Sequence, residues 1–141
     1  VTAFGPYKAT VAVIHDGDTL DVDIVLVSHT GRLAQDHDLG FNLHRSPAGV
    51  VLERQSVRLY GCNAPEFATP AGKAALAFIE TLVKVGDTVT LVSHGWDKYA
   101  GRIDGTITLA DGRDLVQTMI AAGQAIYWDG KGPKPVPVSA A

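Results

Sequence analysis

The feature that most constrains this chain is a succession of five short runs rich in β-branched and aliphatic residues, at 8–14, 18–26, 50–60, 88–92 and 103–109. Runs of that length, bounded by Gly, Asp and Pro, read as strands. The first two are separated only by His15-Asp16-Gly17, which predicts a tight turn, and the fifth closes on the Asp111-Gly112 turn. Between Pro70 and Val85 the pattern changes. Ala75, Leu76, Ile79, Leu82 and Val83 recur at helical spacing and Gly86 follows as a stop, so a helix is expected there. A second helix is expected from Asp114, whose carboxylate suits an N-terminus, to Gly123. Strands first and helices mixed with strands later point to a small α+β barrel.

With 141 residues and a hydrophobic fraction of 46% the chain is long enough for one well-packed core. A single domain is expected over residues 1–128, interrupted by a long polar excursion at 28–49. A Gly/Pro-rich tail at 129–141 is expected to be extended and poorly packed. The formal net charge of −3 excludes a global positive field, so any contact with nucleic acid must come from a local cluster of cations. Cys62 is the only cysteine, which excludes an internal disulfide and a multi-cysteine zinc site. No apolar run reaches membrane-spanning length, and a monomer without a membrane partner is expected. Residues 1–10 lack a basic-then-apolar signal pattern, which favours a cytoplasmic location. Secretion stays open through a leader already removed.

Chemistry concentrates in three places. Arg58-Leu59-Tyr60-Gly61-Cys62-Asn63-Ala64-Pro65-Glu66 carries a cation, an oxygen ligand and a carboxylate, and Pro65 forces Ala64 into extended backbone at a strand end. Loops at strand ends present such groups to ligands. Asp16-Gly17-Asp18-Thr19 places two carboxylates two residues apart, on one side of an extended backbone. Such oxygens suit a hard cation, although Asp-Gly is equally a common hairpin turn and the spacing is not that of an EF-hand loop. Asp21 and Asp23 read as part of an exposed strand face. Asp97-Lys98-Tyr99-Ala100-Gly101-Arg102 puts a second arginine at an element end. Two arginine forks can grip the oxygens of a phosphodiester, and with a carboxylate and a cation site they make up what metal-assisted hydrolysis needs.

Four segments in this order resemble the staphylococcal-nuclease-like (thermonuclease) family: Asp16 to Thr19, Val57 to Gly61 with Ala64-Pro65-Glu66, Asp97 to Tyr99 with Gly101-Arg102, and Asp111-Gly112-Arg113. The resemblance spans most of residues 8–128. It implies an OB-fold five-stranded β-barrel with two or three packed helices. It also implies calcium-dependent cleavage of DNA and RNA, leaving a 3′-phosphate and a 5′-hydroxyl. Carried over by position, it makes Asp18, Asn63 and the Ala64 carbonyl Ca2+ ligands, with Asp16 contributing from behind them or through water. Glu66 would activate or orient the attacking water, Arg58 and Arg102 would stabilise the charged phosphorus centre, and Lys98 and Tyr99 would contact phosphate.

The chain departs from the family pattern in three ways. Asn63 stands where the family often has aspartate, Ala100 is an extra residue before Gly101, and residues 24–49 exceed the family's usual connection. A neutral ligand predicts weaker calcium binding. A non-catalytic nucleic-acid- or protein-binding barrel is the competing expectation, and a calcium-binding structural module a third. Simpler roles are expected elsewhere: Cys62 as a small buried hydrophobe, His15 as a turn residue, His29, His37 and His44 as exposed. Tyr127 and Trp128 are expected to close the core as an aromatic pair, with base stacking the alternative, and His94 ends a strand with no evident partner.

Overall fold

The computed structural model describes residues 3–26, 51–98 and 101–135. The excursion at 28–49, with His29, His37 and His44, lies outside the described residues, as do Tyr99 and Ala100.

Among the described residues seven strands and two helices follow in the order β1 (Phe4–Asp16), β2 (Thr19–Val25), β3 (Val51–Leu59), β4 (Cys62–Asn63), α1 (Pro70–Leu82), β5 (Thr88–Trp96), β6 (Ile103–Thr108), α2 (Leu115–Ala121) and β7 (Ile126–Tyr127). Five of the strands close a barrel in the order β1-β2-β3-β6-β5, and the β5–β1 pairing completes the circle. All neighbours are antiparallel except β3 and β6. A closed five-stranded barrel of this mixed sheet, packed against two helices, is the small α+β barrel expected from the strand pattern and has the OB-fold architecture that the resemblance implies.

Period-2 alternation fills the barrel. Leu20, Val22 and Ile24 from β2, Val57 and Leu59 from β3, Leu91 from β5, and Ile103 and Ile107 from β6 are all buried. Each such side chain contributes about 1.5–3 kcal/mol by leaving water. Gly105 is required where β3, β5 and β6 converge, because a Cβ there would lie 2.7 Å from Leu91 Cδ1 and 2.8 Å from Val57 Cγ1. The helices seal the barrel with Ala75 and Ile79 of α1 and Leu115, Val116 and Met119 of α2.

Local chemistry sets the helix ends. Thr69 caps α1 by accepting a hydrogen bond from Gly72 N, and Pro70 occupies the first turn, where its missing N–H costs nothing. The helix ends at Leu82, earlier than the Gly86 stop suggests. The Lys84–Asp87 turn is pinned to β1, Gly86 N donating to Val11 O and Val11 N to Asp87 O, and this pulls Val83 into extended backbone. Asp114 caps α2 by accepting from Gln117 N, as its position implies. Among the described residues no helix is long and apolar enough to cross a membrane.

One expectation is corrected. Asp21 is buried, not on an exposed face: its Oδ1 lies 2.9 Å from His15 Nε2 and its Oδ2 3.6 Å from Arg54 Nε. The His15 contact has the distance but not the angle of a hydrogen bond, so it holds the carboxylate by charge when the imidazole is protonated. Residues 129–134 are exposed and Pro135 is half-buried, and this stretch lies along the rim of the barrel. Lys131 N donates to Asp129 Oδ1, Trp128 Nε1 to Lys131 O, and Asn63 Nδ2 to Pro135 O at 2.9 Å.

Candidate active site

The β1–β2 turn, the chain leaving β3 and the start of β6 meet at one end of the barrel. Asp18 is the junction. Its backbone carbonyl accepts from Leu59 N at 2.8 Å, its Oδ2 accepts from Ala64 N at 2.9 Å, and its Oδ1 accepts from Thr19 Oγ1. One buried carboxylate therefore ties the turn between β1 and β2 to the loop that carries Glu66. Asp16 and Asp18 converge because Asp16 Oδ1 accepts from Asp18 N across the turn, rather than through extended backbone. Gly17 makes the approach possible, since a Cβ there would fall 2.9 Å from Ala64 Cβ and 2.8 Å from Ala75 Cβ.

Arg58, on β3, is buried. Its Nη1 donates to the carbonyls of Leu59 and Cys62, each at 3.1 Å, and lies 3.4 Å from Asp18 Oδ2. Backbone acceptors and a carboxylate thus fix the guanidinium before any ligand arrives. Arg102 approaches from the β5–β6 hairpin, which the Asp97 N to Arg102 O hydrogen bond closes; its Nη2 lies 3.4 Å from Asp97 Oδ2. Glu66 extends into solvent with 80% of its side chain exposed, and its carbonyl accepts from both Thr69 N and Thr69 Oγ1.

Asp16, Asp18, Asn63, Ala64, Glu66, Arg58 and Arg102 all line one polar cavity of about 110 Å³. Of the remaining site positions named from sequence, Lys98 lines an adjoining cavity and Tyr99 lies outside the described residues. The adjoining cavity holds about 310 Å³ and shares Arg58, Arg102 and Lys134 with the first. Tyr60 and His94 form one of its walls, stacked with ring centroids 4.2 Å apart, and His94 Nε2 is 2.9 Å from Thr106 Oγ1. Burial lowers the His94 pKa, which favours the neutral ring. Trp128 lines the same cavity with three cations over its ring: Lys98 Nζ at 5.4 Å, Lys134 Nζ at 5.7 Å and Arg58 Cζ at 6.0 Å from the centroid. The expected aromatic pair therefore does not close the core. Tyr127 is 69% exposed and Trp128 faces the site.

Sequence reasoning passed over Trp128's position, Lys134 and Asp104. The last had a usable signal, a carboxylate one residue into the strand that follows Arg102. Asp104 pairs in register with Arg58, and burial followed by the neighbouring Asp97 carboxylate pushes its pKa up to about 6. Asp16 is also pushed up to about 6, by burial first and then by Asp18. Burial drives the Cys62 thiol to about 12, so it stays protonated and is no nucleophile.

The raised Asp104 pKa has a defined sign. Between the ordinary value of 3.8 and about 6 the folded protein retains a proton that the unfolded chain has released. Asp104's contribution to stability is thus fully present below pH 4 and lost as pH rises through about 6. Asp104→Asn is expected to raise stability relative to the wild type at pH 7 but not at pH 4, as measured by denaturant unfolding at both. An equal difference at the two pH values would contradict the assignment.

The donors at the smaller cavity are all oxygen, from Asp16, Asp18, Asn63 and Glu66, with no thiolate available. Among the described residues no group of three His, Cys, Asp or Glu side chains is arranged to hold a metal. This set fits a hard cation bound through one or two carboxylates with water completing its shell, and it fits neither a soft metal nor a cage of acidic side chains. No family model matches the chain, and no curated protein matches it.

Proposed function

We propose that this chain is a calcium-dependent nuclease of the staphylococcal-nuclease-like type, hydrolysing phosphodiester bonds of DNA, RNA or both to 3′-phosphate and 5′-hydroxyl ends. The observation that carries the reading is the shared cavity: an arginine on β3 and another from the β5–β6 hairpin, an exposed carboxylate and two converging aspartates line one space of about 110 Å³.

In this reading Arg58 and Arg102 bind the non-bridging oxygens of the scissile phosphate. Their charge counts most when the pentacoordinate centre gains negative charge, and a single such donor typically supplies about 10²- to 10³-fold in rate. Glu66 orients a water and takes its proton as the water oxygen bonds to phosphorus, a role worth roughly 10²- to 10⁴-fold. The bond from phosphorus to the 5′ oxygen then breaks, and that oxygen leaves as a hydroxyl after taking a proton from solvent. Asp18, with the oxygens of Asn63 and Ala64, would hold Ca2+, and Asp16 would support them from behind or through water. When bound, the ion supplies Lewis-acid polarisation of the phosphoryl oxygen. The test is digestion of single-stranded DNA and RNA with calcium and with chelator, followed by identification of the ends. The expected products carry 3′-phosphates; 5′-phosphate products would overturn the bond assignment.

One observation favours a second reading, a barrel that binds nucleic acid without cleaving it. Asp18 already spends both carboxylate oxygens on Ala64 N, Thr19 Oγ1 and Arg58, which leaves little charge for a cation. That reading predicts salt-sensitive oligonucleotide binding with no turnover at any calcium concentration.

A further inference from the structure

Residues 128–135 do more than cover the barrel mouth. The segment is anchored at both ends, by Trp128 N donating to Gly61 O and by the Asn63 side chain at Pro135 O, and Trp128 Nε1 donating to Lys131 O braces it internally. These bonds carry Lys134 to the boundary of the two cavities, whose shared lining among the described residues is Arg58, Arg102 and Lys134. All three are cations. Lys134 Nζ lies 5.7 Å from the Trp128 ring centroid and 4.0 Å from Glu66 Oε1.

The contact with Glu66 is long, and both side chains are substantially exposed, so it contributes little and can be exchanged at small cost. An incoming phosphate offers Lys134 a better partner, through charge-assisted hydrogen bonds from a three-donor ammonium. Exchange would also free Glu66 from its neighbouring cation as substrate enters.

Building on the nuclease reading, the geometry points to residues 128–135 as a substrate-gripping strap in which Lys134, mounted over Trp128, binds the phosphate next to the scissile one. Arg58 and Arg102 stay with the reacting phosphate, and the strap adds a cation one nucleotide along. Lys134 is thus a substrate-binding residue supplied from outside the four motifs.

The experiment is anisotropy of a fluorescein-labelled single-stranded octanucleotide titrated with intact protein in chelator, over a salt series. Lys134→Ala should weaken binding about tenfold at low salt. It should also reduce the slope of log affinity against log salt by about 0.7, the signature of one lost phosphate contact on a single strand. Lys134→Arg should restore the slope. Lys84→Ala, at the other end of α1 from Glu66, should leave affinity and slope unchanged.

Wild-type binding with no change in Lys134→Ala, or an equal change in Lys84→Ala, overturns the strap and leaves the nuclease reading standing. Wild-type binding with the expected Lys134 effect but no cleavage in calcium supports the strap and overturns the nuclease reading. No oligonucleotide binding by the wild type in chelator overturns the strap, and no cleavage in calcium overturns the nuclease reading with it.

Discussion

Arg58→Ala is expected to slow phosphodiester cleavage by about 10²- to 10³-fold and to destabilise the fold by about 3 kcal/mol. Both effects follow from one set of contacts. Arg58 is buried, with Nη1 shared among Leu59 O, Cys62 O and Asp18 Oδ2. Truncation leaves two carbonyls short of a donor and a buried carboxylate short of its counter-charge, which is the costly way to break such a pair. The same truncation removes a fork already aimed into the cavity. Arg58→Lys separates the two losses. It keeps a charge beside Asp18, so much of the stability should return, but not the two-pronged grip, so most of the rate loss should persist. Denaturation midpoints and initial rates on both variants check this; a stable, fully active Arg58→Ala protein would contradict the role.

Gly72→Ala is expected to lower the cleavage rate about 10²-fold and stability by roughly 1–3 kcal/mol. In most helices this exchange stabilises, by about 1 kcal/mol, because alanine has the better helix propensity. Here the sign reverses. A Cβ on Gly72 would collide with Glu66 O and lie 2.9 Å from Phe67 Cα, and those are backbone atoms with no rotamer to escape into. Relief requires moving the Glu66 loop off α1, which breaks the Thr69 hydrogen bonds to Glu66 O and displaces the Glu66 carboxylate. Lys73→Ala, one residue along on the exposed face of the same helix, serves as the control and should be close to neutral. Equal stability of Gly72→Ala and wild type would show that the loop does not rest on the helix.

The elements visible in the sequence are those set by local pattern. The β-branched runs became the barrel strands, and Asp114 caps α2 where its position predicted. Three of the four motifs converge because each sits at a strand end on the same rim, so order along the chain translated into shared lining of one cavity, while Asp111-Gly112-Arg113 follows the far end of β6 and lines neither cavity. What escaped depends on partners distant in sequence. Asp21 alternates with Leu20 and Val22 as an outward residue should, yet His15 from β1 and Arg54 from β3 fold over it. Pro135 meets Asn63 across a separation of 72 residues, and Gly/Pro composition gives no sign of such a bond. Trp128 reads as a core aromatic until the cations around it are seen in place.

The central claim is that this rim performs metal-assisted hydrolysis rather than binding alone. Its most direct test is the initial rate of single-stranded DNA and RNA cleavage by the wild type and by Glu66→Gln, each in calcium and in chelator. Glu66 is exposed and, among the described residues, its side chain makes no contact the fold depends on beyond the long one to Lys134, so the variant should fold and bind as the wild type does. The account predicts calcium-dependent cleavage by the wild type, abolished by chelator, and a rate about 10²- to 10⁴-fold lower in Glu66→Gln with oligonucleotide binding retained. Binding without cleavage by the wild type at saturating calcium, or equal rates for wild type and Glu66→Gln, would contradict it.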